Sequence, residues 1–305
     1  MSRRTPSHRI AVSAALVVTV LWSSSWVLIR WGLDREQLEP LTFAALRYGL
    51  AALVLAVWVV SRRRLRAGLS TIDRRSLLWI GALGVVFYAV TQGAQFVAID
   101  HQPAATTSLV LSWTPLVVAL VGGWSISEFS SGRQLLGAVV VVAGASLYFA
   151  GDLGATFVGM VAALIGLIAN VVSGLLGRHV NREATLAPVV ITALSMGAGS
   201  LLLLSVGLAT EGVPTVSLRA GGIIAWLAVV NTAVAFTLWN FSLRSLSALE
   251  SAAINNTMLI QIALLGWIFL GEPLGVRETG GIGLASLGIL LTQAAGPVAR
   301  PRRSS

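Results

Sequence analysis

The chain has no cysteine and no lysine, and its 305 residues carry only 12 carboxylates and three histidines. Without cysteine there are no disulfides, no thiol nucleophile and no thiolate metal site. His8, His101 and His179 all fall in loops or tails on the reading below. That leaves no Ser–His pair at mid-span, no H-E-x-x-H motif and no histidine-based metal cluster. Paired carboxylates for a di-metal site and a phosphate-binding P-loop are also missing, so neither a metal nor a nucleotide cofactor is expected. Charged residues make up 11% of the chain against 56% hydrophobic ones. A soluble domain carries about 25% charge.

What replaces charge is a succession of apolar runs near 20 residues, each able to cross a hydrocarbon core about 30 Å thick. Ten can be marked: 10–30, 41–61, 77–98, 104–124, 135–151, 157–177, 186–209, 220–243, 248–270 and 279–295. The first lacks a small-residue cleavage site and reads as a retained helix. The fold class expected is an all-α polytopic membrane protein. The net charge of +9 does not point to nucleic acid, because most of the arginines sit between apolar runs.

Arginine placement sets the orientation. With the N-terminus in the cytoplasm and ten spans, 16 arginines fall on the cytoplasmic side, four outside (Arg30, Arg35, Arg219, Arg277), and Arg47 lies within the second span. Both termini are then cytoplasmic, in a bacterial-type inner membrane.

A pattern is written twice. Glu128, Arg133, Gly137 and Gly144 recur as Glu272, Arg277, Gly281 and Gly288, 144 residues later and without a gap. Over 104–147 against 248–291 this shift aligns nine identities in 44 positions. Five spans per half is odd, so the second copy enters from the opposite side. Repeats at 10–151 and 157–295, between tails at 1–9 and 296–305, are therefore expected to be inverted. Each glycine pair is about two turns apart, one packing face.

An intramembrane polar group is costly unless it faces protein or water. Polar faces concentrate in six spans: Trp22, Ser25 and Trp26 in the first; Tyr88, Gln92 and Gln95 in the third; Ser112 and Trp113 in the fourth; Asn170 and Ser173 in the sixth; Asn231 and Trp239 in the eighth; Asn255, Asn256 and Gln261 in the ninth. The second, fifth, seventh and tenth are poorer, which suggests an inner and an outer ring. Arg47 is placed to snorkel outward or pair. Glu250 can pair with Arg244 or, as a protonable group, couple transport to protons. Pro115 predicts a bend in the fourth span.

In order, LWSSSWVLIRWGL (21–33), PLTFAALRYGLAALVL (40–55), AATTSLVLSWTPLVVALVGGWSISE (104–128) and FLGEPLGVRETGGIGLASLGILL (269–291) resemble the EamA-type, ten-helix branch of the drug/metabolite transporter superfamily. The resemblance implies two inverted five-helix repeats around a cavity lined by helices 1, 3, 4, 6, 8 and 9. It also implies secondary transport, often export, of small metabolites such as amino acids. Two departures stand out: Leu259 where the family repeats the proline of Pro115, which puts a ninth-helix bend in doubt, and Ser127 before Glu128 in place of glycine. A sugar-phosphate or nucleotide-sugar exchanger of the same architecture, and a non-transporting scaffold or receptor, are the alternatives. The substrate is expected to be a small molecule; oligomeric state is not legible.

Overall fold

The structure is a computed structural model that describes residues 6–70, 72–102, 104–126, 131–148, 150, 155–183, 186–265, 268–269 and 275–293. Among the described residues the chain is helical and has no strand. Its elements are α1 (His8–Asp34), α2 (Pro40–Ser61), α3 (Arg63–Leu69), α4 (Arg74–Gly84), a π-turn π1 (Val85–Val90), α5 (Thr91–His101), α6 (Ala104–Leu111), α7 (Thr114–Ile126), α8 (Gly132–Tyr148), α9 (Phe157–Glu183), α10 (Pro188–Thr210), α11 (Leu218–Ala228), a second π-turn π2 (Val229–Val234), α12 (Ala235–Ser242), α13 (Ala248–Asn255), α14 (Thr257–Leu265) and α15 (Val276–Gln293). Short α3 apart, these join into ten rods. Rods three and eight each pass through a π-turn, and rods four and nine are each broken in the middle. Among the described residues six rods are long and apolar enough to cross a membrane by length and composition alone.

Local chemistry explains where the rods begin. Ser7, Asp73, Ser217 and Ser247 sit extended before α1, α4, α11 and α13 and accept first-turn amides, satisfying donors that a helix cannot satisfy itself. Hydrogen bonds from Ser76 hold the Asp73 carboxyl below its usual range. Pro40 and Pro188 open α2 and α10, where a missing N–H costs nothing. The α2 start is completed from elsewhere: Glu211, at the end of α10, accepts from Leu41 N at 2.9 Å and Thr42 N at 2.7 Å. The turn after α10 passes through Gly212 at φ 81°, a conformation that side chains disfavour.

The two halves repeat in detail. π1 and π2 begin at Val85 and Val229, again 144 residues apart, and the breaks in rods four and nine fall at Ser112–Trp113 and Asn256. Symmetry mates meet at the breaks: Asn256 Nδ2 donates to the Ser112 carbonyl at 3.1 Å. A pseudo-two-fold axis therefore passes between them. The ninth rod bends without a proline, because Asn256 turns its backbone (φ −67°, ψ −12°) and its side chain supplies a partner across the axis.

The glycines of the doubled pattern pack α8 antiparallel against α15. A Cβ on Gly137 would lie 2.7 Å from Gly288 O, and one on Gly144 would lie 2.8 Å from Gly281 O. Arg133 is exposed, and Arg277 pairs with its neighbour Glu278 at 2.7 Å. Glu128 and Glu272 lie outside the described residues.

Candidate functional site

Between rods one, two, three and eight an aromatic cluster forms around Phe236 on α12. Its ring lies 4.7 Å from Trp22, 5.0 Å from Tyr88, 5.3 Å from Phe87 and 6.0 Å from Tyr48, centroid to centroid. Trp239 continues the cluster 5.2 Å from Trp22. π1 contributes Phe87 and Tyr88 on consecutive positions, with rings tilted 36° at 5.1 Å. The backbone bond that closes the π-turn runs from Thr91 N–H to the Val86 carbonyl, and the Thr91 hydroxyl donates to the same oxygen at 2.8 Å. Three buried polar atoms at this cluster have no hydrogen-bond partner: Trp22 Nε1, the Tyr88 hydroxyl and Asn231 Oδ1. The Tyr88 hydroxyl is directed at Ser195 without a well-formed bond, and the Ser195 hydroxyl itself donates to Ile191 O at 2.7 Å.

Arg47 borders the cluster. It does not snorkel: it turns inward and is 7% exposed. Its Nε donates to Thr232 Oγ1 at 2.8 Å, its Nη2 reaches the Asn231 carbonyl at 3.5 Å, and the guanidinium lies 5.3 Å from the Tyr48 ring centroid. Snorkelling loses here because π2 presents a carbonyl and a hydroxyl directly beside α2. The Asn231 amide is spent on the Leu21 carbonyl and on Ser24 Oγ at 3.1 Å.

A second polar group surrounds the broken rods. Gln261 accepts from Ser23 Oγ at 2.9 Å and donates to Thr19 Oγ1 at 3.0 Å and Thr257 Oγ1 at 3.2 Å. Asn170 Nδ2 donates to Thr114 Oγ1 at 3.3 Å. Asn255 Oδ1 is buried without a partner. Ser25, Ser112 and Ser173 are less available, since their hydroxyls donate to carbonyls of their own helices at Trp22, Leu109 and Asn170. Gln92 and Gln95 are half-buried, Gln95 against Gly166. Pro115 is buried in the first turn of α7, just past the break.

On the face where α1 starts, Glu250 meets His8 at 3.0 Å. Its other oxygen accepts from Ser247 N at 2.8 Å in a capping box. The expected pairing with Arg244 is not made: Arg244 donates to the Leu186 carbonyl instead, and partial burial lowers its pKa from the usual guanidinium value. Beneath it, Asn181 donates to Asn240 at 2.7 Å and Asn240 to Thr192 at 2.9 Å.

Several expectations need correction. Trp113 lies in the break itself and leaves 44% of its surface exposed instead of packing among the rods. The second rod is not merely an outer wall, since it carries Arg47 and Tyr48 into the cluster. Tyr48, Phe87 and Phe236 were not legible as site residues; the Arg47–Tyr48 dipeptide was the available signal. The Trp26 side chain lies outside the described residues. No group of three or more His, Cys, Asp or Glu residues that could hold a metal exists among the described residues.

The cluster thus brings aromatic rings, polar atoms without a partner and one guanidinium together in a closed core. Comparison with known proteins gives the class. A probable terminal-alkyne amino-acid exporter of Streptantibioticus cattleyicolor is 27% identical over 288 residues, 91% of this chain and 92% of its own. A probable amino-acid metabolite efflux pump of Escherichia coli is 25% identical over 236 residues, 74% of this chain and 75% of its own. A solved crystal structure, 17% identical, superposes with a TM-score of 0.74 over 93% of this chain and 97% of that one, which speaks for the fold alone. The protein is an integral membrane protein and a transporter rather than an enzyme. The model of the EamA-like transporter family matches residues 9–150 and again 157–293, and the chain belongs to that family.

Proposed function

We propose that the protein is a secondary transporter that exports small amphipathic metabolites, amino acids or amines, by alternating access. The observation that carries this reading is the aromatic cluster at Phe236 with its buried, unpartnered Trp22 Nε1, Tyr88 hydroxyl and Asn231 Oδ1. Such atoms cost free energy until something pairs with them. A molecule with an apolar body and a few polar atoms would do both jobs.

An asymmetry between the repeats supports alternation. On the face where α1 starts, Val118, Val171, Leu175 and Leu249 form a buried apolar plug. Positions related by the 144-residue shift on the far face are looser: Val27 and Ile262 are half-buried and Trp31 is 39% exposed. In this reading the plug is the closed gate, and the far face closes when the repeats exchange shapes. The arginine bias puts the plugged face in the cytoplasm of a bacterial-type inner membrane. The units 10–151 and 157–295 are the two exchanging bodies.

A growth-toxicity panel of amino acids, amines and drugs in an overexpressing strain, followed by liposome flux of each hit, tests the reading. Exchange of phosphorylated sugars with indifference to amino acids and amines would sink it, and so would absence of any flux. Glu250 is proposed as the proton-coupling carboxylate. Glutamine can still close the capping box, so Glu250→Gln removes the charge and keeps the helix start. Uptake driven by a pH gradient is expected to disappear while counterflow exchange at equal pH persists. Gradient-driven uptake at the wild-type rate would remove Glu250 from that role.

A further inference from the structure

Arg47 is a charge without a counter-charge. Among the described residues no carboxylate reaches it; its named partners are one hydroxyl, one distant carbonyl and one ring face. A guanidinium has five N–H donors in a fork that matches a carboxylate two bonds at a time. Burying that charge inside a membrane protein is expensive, and where it occurs the residue is paired or functional.

The repeat itself shows that packing does not require the charge. The position equivalent to Arg47 in the second half is Ile191, which is fully buried in an apolar cluster with Ile80 and Leu83. Equivalent positions between equivalent pairs of rods, two with eight and seven with three, therefore hold a guanidinium in one half and a hydrocarbon in the other. Beside Arg47, Asn231 is 1% exposed and its Oδ1 is unpartnered, an acceptor left open next to the donors.

We propose that Arg47 is a substrate-recognition residue that binds a carboxylate. The carboxylate would sit on the free edge of the guanidinium, with the Asn231 oxygen placed for an adjacent N–H donor such as an ammonium group. The apolar remainder would lie along Trp22 and Phe236, since Phe236 is one ring away from Arg47 through Tyr48. The proposal rests on the transport reading and narrows it from amphipathic metabolites in general to α-amino acids and related acids.

Arg47→Ile installs the side chain that the other repeat already uses, so it is the variant most compatible with folding. Two measurements separate this inference from the transport reading. In proteoliposomes, uptake of L-phenylalanine is compared with uptake of phenethylamine, the same body without the carboxylate. The ratio of the two is expected to fall at least tenfold in Arg47→Ile. In detergent, thermal stabilisation by phenylacetate, which needs no transport, is expected in wild type and absent in Arg47→Ile. Arg47→Lys, a point charge without the fork, is expected between them in both assays. Phenylacetate that stabilises neither protein, or both equally, overturns the carboxylate site even if flux is present. Phenylacetate that stabilises only the wild type while neither probe moves keeps the site and removes the transport reading. A substrate ratio unchanged in a folded Arg47→Ile or Arg47→Lys protein also overturns it.

Discussion

Gly84→Ala and Gly199→Ala are each expected to abolish accumulation of folded protein. A Cβ on Gly84 would lie 2.9 Å from the carbonyl carbon of Ser195 and closer still to its oxygen. One on Gly199 would lie 2.6 Å from Tyr88 Cβ and 2.9 Å from the Gly84 carbonyl carbon. The obstacle in each case is backbone or a Cβ, which no rotamer change can move. Overpacking a core ordinarily costs about 1–3 kcal/mol. Here α10 would have to move away from the start of π1 as a rigid rod, so we expect the upper end or more. The separation would also pull Ser195 and Gly199 on α10 away from Tyr88, the residue of π1 that packs against them. Gly197, two residues along the same helix, has nothing within 4 Å of a built Cβ. Gly197→Ala should be neutral or slightly stabilising, because alanine favours helix over glycine by about 0.5–1 kcal/mol. Gel-filtration profiles and thermal midpoints of the three variants check the expectation. A wild-type midpoint for Gly84→Ala would mean that the two rods are farther apart than described.

Much of the architecture is legible in the sequence because membrane folding writes it in simple terms. Apolar runs mark rods to within a few residues, and the shift of 144 residues locates glycine pairs whose only option at close approach is to lack a side chain. The site is less legible, for three physical reasons. A π-turn has no residue signature as strong as proline, so Val85–Val90 and Val229–Val234 read as ordinary helix. The break at Asn256 is held by a tertiary hydrogen bond to Ser112, which no local propensity encodes. Arg47 points inward because of what π2 exposes on a rod 185 residues away in sequence. Polar residues alone also mislead. Ser25 and Ser173 satisfy themselves on their own helices, while Phe236, which carries no polar atom, gathers the site.

Phe236→Ala should therefore weaken both the fold and transport. In water-soluble cores a buried Phe→Ala change costs about 3–5 kcal/mol, part transfer and part cavity. Lipid removes most of the transfer part, since a ring released from the protein enters hydrocarbon rather than water. What remains is lost contact, on the order of 2–3 kcal/mol. The loss is concentrated because Phe236 touches rings from three other rods, Trp22, Tyr48, Phe87 and Tyr88. Phe236→Leu refills much of the space without an aromatic face. Thermal midpoints should then rank wild type, leucine, alanine, with leucine near wild type. Substrate flux should instead group leucine with alanine if the ring face is what the substrate meets. Should leucine restore flux along with stability, the ring serves only to fill space, and recognition would pass to Trp22 and Trp239. That outcome would leave the transport reading standing and move its site one contact along the cluster.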